Sequence, residues 1–136
     1  MLTTLEKVDL LQKAPIFEGI PTQSLARVAA IAQEVSWEAR HMLFLEDDPA
    51  DAMFLLLEGQ VEVTCSGQDE QTLQAPHVVG ALALLAGEAH PESAMILQPT
   101  RALQIDQQDL YEAMAEDFNI TRGILRALVG FAAGGA

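Results

Sequence analysis

The sequence predicts a mainly β protein with helices at both ends. Three features predict it: apolar residues at helical spacing over residues 1–34, short apolar stretches separated by turn signals over residues 35–106, and a return to helical spacing over residues 107–129. A chain of 136 residues and 14.7 kDa has room for one domain. Half of its residues are hydrophobic, enough to build a core. A single domain over 1–136 is therefore expected, closing in a tail over residues 130–136.

At the N-terminus, Leu2, Leu5, Val8, Leu10 and Leu11 recur at helical spacing, and Pro15 stops the run. Ile16-Phe17-Glu18-Gly19-Ile20-Pro21 reads as a short apolar turn. Thr22 is a good N-cap for a second helix, whose face carries Leu25, Val28, Ala29, Ile31 and Ala32 and whose end is expected near Glu34. Strands are then expected over residues 35–37, 42–45, 53–57, 61–65, 71–74, 94–97 and 102–105. Turns such as Glu46-Asp47-Asp48-Pro49, Leu57-Glu58-Gly59-Gln60 and Ser66-Gly67-Gln68-Asp69 separate them. Short strands in this rhythm indicate an all-β barrel or sandwich. Residues 82–85, after Gly80, read as a helical turn. Asp106-Gln107-Gln108-Asp109 places acids at the positive end of a helix dipole. Leu110, Met114, Ile120, Ile124, Leu125 and Leu128 continue as amphipathic helix, broken near residues 117–119. The tail offers no anchor beyond Phe131.

Composition narrows the function. Lys and Arg total 7 against 20 Asp and Glu, a formal charge of −13. A duplex binder displaces phosphate counterions with cations, and an anionic membrane surface attracts the same cations, so both partners are disfavoured. Cys65 is the lone cysteine, so neither an intrachain disulfide nor a zinc-ribbon spacing exists. Glu6 and Asp9 interrupt the apolar N-terminus, which does not read as a secretory signal. No apolar run approaches the roughly 20 residues that span a bilayer. A reducing, cytoplasmic setting is expected.

Four stretches, in order and at suitable spacing, carry a family resemblance. They are Leu10-Leu11 with Pro15-Ile16-Phe17-Glu18-Gly19-Ile20; the run from Phe44-Leu45-Glu46-Asp47-Asp48 through Leu57-Glu58-Gly59-Gln60-Val61-Glu62-Val63; Val79-Gly80-Ala81-Leu82-Ala83-Leu84-Leu85; and Thr100-Arg101-Ala102-Leu103-Gln104-Ile105-Asp106 with Leu110. Together they resemble the cyclic nucleotide-binding domain family, as in bacterial catabolite activators and protein kinase regulatory subunits. The resemblance implies a double-stranded β-helix (jelly-roll) barrel with N-terminal helices and C-terminal lid helices. It also implies a cyclic phosphate held by backbone N–H groups of a Gly-led turn, by an Arg, and by a Glu on the ribose hydroxyl. The ligand-pocket positions by resemblance are Gly80, Ala81, Leu82, His90, Glu92, Ser93 and Ala94.

The chemistry departs from that pattern. The family Glu falls at Ala81, whose side chain accepts no hydrogen bond. The family Arg falls at Glu92 if Pro91-Glu92-Ser93-Ala94 matches the motif, or at His90 if the pairing runs ungapped from Gly80 to Arg101. Neither is a permanent cation, and no Lys or Arg stands between His41 and Thr100. Two like charges about 4 Å apart repel by about 4 kcal/mol at an effective dielectric near 20. Losing the partner of a buried charge costs roughly 3–5 kcal/mol. Arg122 or Arg126 could substitute only by reaching in from a lid helix. Arg40 or His41, Asp47 and Pro76 stand where family turns usually carry glycine, while Gly59 and Gly80 remain. Since Asp tolerates left-handed backbone, the barrel is expected to survive these changes better than the site.

Other residues weigh less. His41, His77 and His90 lie in separate segments without the His-x-His of a cupin-like metal enzyme, and are expected on the surface or in loops. Cys65 reads as a structural thiol. Ser93 reads equally as a phosphate contact or as a locally satisfied hydroxyl. Trp37 and Tyr111 read as packing residues, and Leu82, Leu84 and Leu85 as core. The acids of residues 46–51 lack the Gly and distal Glu of an EF-hand loop. No enzyme motif appears. The expected function is a non-catalytic regulatory module in signal transduction with weak or lost binding of cyclic AMP or GMP, hence no cofactor. A working nucleotide sensor and a cupin-like metal enzyme are the alternatives. The chain ends near where a lid helix finishes, so a neighbouring domain or protein partner is expected. Ile120, Ile124, Leu125, Leu128 and Phe131 form a stripe that suits packing onto the barrel or a homodimer.

Overall fold

A computed structural model of the protein describes residues 1–135. The chain packs as two compact units: Gln33–Gln107 forms one, and Met1–Ala32 with the chain from Gln108 onward forms the other.

The helical unit opens with α1 (Thr4–Gln12). Thr3 caps it: its hydroxyl accepts from the Glu6 N–H, and the Glu6 carboxylate accepts from the Thr3 N–H. These reciprocal bonds satisfy two donors that a helix start leaves open. Val8 and Leu11 are buried. A 3₁₀ turn, Pro15–Phe17, buries Ile16 and Phe17. Helix α2 (Thr22–Ile31) buries Ser24, Leu25, Val28 and Ala29. Each large apolar side chain taken fully from water contributes about 1.5–3 kcal/mol. Lys7 Nζ donates to the Ala32 carbonyl at 2.6 Å.

Helix α4 (Gln107–Glu116) and helix α5 (Phe118–Gly135) follow the β unit, with the break between them at Asp117. Ile120 and Ile124 are buried, and α5 approaches the 3₁₀ turn through Gly123, where a Cβ would collide with Ile20 Cγ1. Arg27 pairs with Asp117 across this unit at 3.6 Å.

The β unit holds six strands, β1 (Ala32–Trp37), β2 (Met42–Phe44), β3 (Ala52–Thr64), β4 (Gln71–Gln74), β5 (His77–Val79) and β6 (Ser93–Asp106), with the short helix α3 (Ala81–Ala86) between β5 and β6. The order is β1-β6-β3-β4, with β2 also pairing β6 and β5 pairing β3. The frame is the long antiparallel pair β3/β6, in register from Ala52 opposite Asp106 to Thr64 opposite Ser93. Phe54, Leu56, Val61, Val63, Val79, Ala94, Ile96 and Ala102 build its core.

The structure corrects several boundaries. Residues 53–57 and 61–65 are one strand, as are 94–97 and 102–105. The turn signals between them mark register shifts inside the paired strands rather than chain reversals. At Gly59 (φ +108) a Cβ would overlap Thr100 Oγ1 and lie 2.7 Å from Thr100 Cα, so only glycine lets the two strands close there. β5, which the sequence did not suggest, is a three-residue strand held by Phe54, Leu55 and Leu56. α2 starts one residue early, with Pro21 as N-cap and Thr22 already helical. It stops at Ile31 because Ala32 turns extended and the next residues join the sheet, pairing that outweighs local helix preference. Residues 130–135, expected as an unanchored tail, continue α5. Ala136 lies outside the described residues.

Candidate functional site

Gly80 ends β5 in the left-handed conformation (φ +85) and is the N-cap of α3. That backbone costs a side-chain-bearing residue energy, and the space is filled as well: a Cβ here would lie 3.3 Å from the Ala52 carbonyl oxygen and 3.4 Å from His90 Cε1. Ala81 opens α3 and is buried. Leu84 is fully buried, Leu85 half-buried, and Leu82 is 59% exposed, so Leu82 is not the core residue its spacing suggested. A helix of under two turns has only one buried face, and Leu82 lies off it.

His90 is only 3% exposed and stacks on Phe44 with ring centroids 3.6 Å apart and planes 6° from parallel. It lies in a loop, as expected, but is buried rather than at the surface; His41 and His77 are exposed. The reason is tertiary. The acidic loop 46–51 pairs with the turn before β6: the Asp47 N–H donates to the His90 carbonyl at 2.8 Å and the His90 N–H to the Asp48 carbonyl at 2.9 Å. This clip turns the ring inward. Burial holds the imidazole below the usual range, while Asp51 and Asp48 push it the other way.

Glu92 is half-buried. Of the two candidates for the family Arg position, His90 is the one whose ring reaches Gly80. The Ser93 hydroxyl accepts from the Glu46 N–H at 2.8 Å, and Glu46 Oε1 in turn accepts from the Ser66 N–H and hydroxyl. Ala94 is buried opposite Val63 and Phe44. A cavity of about 260 Å³ opens beside this group, lined by Leu43, Phe44, Asp48, Pro49, Asp51, Ala52, Phe54 and His90. The roles of Phe44, Phe54, Asp48 and Asp51 carried no local signal; loop pairing alone assembles them around His90.

The cations lie elsewhere. Arg101 pairs with Glu58, and the two line a separate groove with Ser36, Trp37 and Thr100. Arg122 sits 5.9 Å over the Phe118 ring and donates to Asn119 Oδ1. Arg126 lies beside Gly19, 3.7 Å from where a Cβ would stand. Among the described residues, no three His, Cys, Asp or Glu side chains group as a metal site requires.

The architecture is a mainly antiparallel β-roll with flanking helices, the class of domain that carries a Gly-led turn and short helix beside a ligand pocket. The family model for the cyclic nucleotide-binding domain matches residues 34–117, and the chain belongs to that family. It is 25% identical over 125 residues to a CRP-like cAMP-activated global transcriptional regulator of Mycobacterium tuberculosis, covering 88% of this chain and 56% of the regulator. The chain thus spans little more than half of that relative's length. The N-terminal domain of a transcriptional regulator from Streptomyces coelicolor A3(2) superposes with a TM-score of 0.81 at 21% identity, over 93% of this chain and 92% of the other. A cyclic nucleotide-binding domain from Methylobacillus flagellatus KT gives 0.78 at 19% identity, over 96% and 76%. These two likenesses concern the fold. No helix among the described residues is long and apolar enough to cross a membrane.

Proposed function

We propose that this is a regulatory module in which the cyclic nucleotide site is weak or lost, working without a cofactor and without catalysis. One observation carries the reading: the side chain facing Gly80 is a buried imidazole stacked on Phe44, with Asp48 and Asp51 beside it. A cyclic phosphate there would meet two carboxylates and no permanent cation. Ala81 supplies no acceptor for the ribose, and the Ser93 hydroxyl, which accepts from the Glu46 N–H, has one neutral O–H to offer a phosphate in place of a cation. Unpaired phosphate charge costs roughly 3–5 kcal/mol, two to four decades of affinity.

The module acts on a neighbouring domain or a protein partner, a reading supported by the share of its relative that the chain spans. Its acidity argues against direct contact with nucleic acid or an anionic membrane. A cytoplasmic setting suits a chain with one thiol. A homodimer through α5 is part of the same proposal. Calorimetric titration of cyclic AMP and cyclic GMP into the folded protein tests the central point. No heat at millimolar ligand is expected. Micromolar binding would overturn the reading and mean that backbone amides hold the phosphate.

A further inference from the structure

We propose that Ser66 is a phosphorylation site for a serine kinase that reads acidic residues after its target, and that the phosphate releases loop 46–51 from the turn between β3 and β4. The inference goes beyond the loss of nucleotide binding and holds whether or not a nucleotide binds.

Ser66 lies exposed in that turn. The Gln68 N–H closes the turn onto the Cys65 carbonyl at 3.0 Å. A Cβ on Gly67 would meet nothing within 4 Å, so the tip stands clear of the barrel. The other serines are worse placed for a kinase: Ser24 is buried in α2, Ser36 lies within strand β1, and Ser93 is half-buried. Asp69 and Glu70 follow Ser66 in the same exposed turn. Kinases select substrates by such charge patterns, and these acids suit a cationic substrate groove. In the transfer, Ser66 Oγ attacks the γ-phosphorus of a nucleoside triphosphate. The new O–P bond forms as the bond to the β,γ-bridging oxygen breaks. The nucleoside diphosphate leaves, and the hydroxyl proton passes to a base on the kinase.

The geometry makes Ser66 a latch. Glu46 Oε1 accepts from the Ser66 N–H at 3.0 Å and from its hydroxyl at 3.1 Å. The Glu46 N–H donates to Ser93 Oγ at 2.8 Å, and the next two residues form the clip with His90 described above. Phosphorylation replaces the donor hydroxyl with a group of about −1.5 to −2 charge, set against the Glu46 carboxylate. No Lys or Arg stands in residues 46–51, 64–71 or 90–95, the segments that meet here, to pair with it. The phosphate therefore repels instead of docking, and the clip at His90 loosens with Glu46.

Two measurements on the full chain test this. In the first, the protein is incubated with a soluble extract of the cells that make it and γ-labelled ATP, and the label is mapped by mass spectrometry. Label is expected on Ser66, and the double variant Asp69→Asn, Glu70→Gln should accept it about tenfold more slowly. No label, label confined to other residues, or an unchanged rate in the variant overturns the site. In the second, amide hydrogen exchange compares the chain with and without phosphoserine at position 66. The Asp47 and His90 amides should exchange about tenfold faster in the phosphorylated chain. Glu46→Gln, whose amide donates to the phosphate, should return them toward the unmodified rate. Unchanged exchange on phosphorylation, or equal acceleration in folded Glu46→Gln, overturns the latch.

Discussion

His90 lies between a desolvating pocket, which disfavours its charged form, and two aspartates, which favour it; burial is the larger effect. Its pKa therefore lies below the 6.5 of the unfolded chain, so the unfolded state binds the proton more readily. The stability this residue contributes is complete above pH 7 and is lost as pH falls through 6.5 toward the folded value. Urea midpoints measured from pH 7.5 down to 5.5 should decline, and His90→Phe should flatten that part of the profile. An unchanged slope in the variant would mean that other groups carry the dependence. Arg40 (φ +77) and Asp47 (φ +74) show how the barrel tolerates its missing glycines. Both hold left-handed backbone, which costs a residue with a side chain roughly 1–2 kcal/mol. Main-chain bonds offset the strain: Arg40 N–H donates to the Ile96 carbonyl at 2.6 Å and Asp47 N–H to the His90 carbonyl. Of the two positions the sequence offered for the first turn, Arg40 is the one that adopts this backbone.

β3 and β6 are the elements on which the barrel depends, and their closest approach is at Gly59. A Cβ there has to displace the Thr100 backbone, and Thr100 is itself pinned by a 2.7 Å bond from its hydroxyl to the Gln98 carbonyl. Gly59→Ala should cost about 3 kcal/mol or more, from the strained φ together with the collision. Chemical denaturation measures it; a loss within about 0.5 kcal/mol would mean that the strands part without penalty there. The α1 cap shows the opposite kind of element, one set by local chemistry. Thr3 and Glu6 stand three apart before an apolar run, and this spacing is a complete capping box in the sequence.

The charge of −13 is unevenly spread: residues 33–107 hold 13 acidic side chains against Arg40 and Arg101 alone. Such a surface repels copies of itself, so association needs an apolar face. α5 carries one. Phe118, Leu125 and Val129 recur at i, i+7 and i+11 on a single stripe and are 66%, 53% and 69% exposed, while Ile120 and Ile124 face inward. The apolar stripe read in the sequence is thus two faces, with Leu125 on the outer one. Light scattering at high concentration should give twice 14.7 kDa, and Leu125→Glu should return the monomer mass. A monomer under all conditions would sink the dimer.

Much of this molecule was legible from period and punctuation. Apolar residues at 3.6 spacing marked α1, α2, α4 and α5, and Gly80 ahead of an apolar run marked α3, because helices form from contacts a few residues long. The absence of Lys and Arg from His41 to Thr100 argued against a cationic phosphate site before any coordinates. What waited for the fold was everything set by residues distant in the chain. The turn signal at Gly59 became a bend because Thr100 lies across from it. His90 became a buried polar wall because loop 46–51 clips onto the turn before β6, and Leu82 left the core because α3 turns it outward. Pairing across 40 or more residues decides these places through steric fit and shared hydrogen bonds, which no local pattern of residue types records.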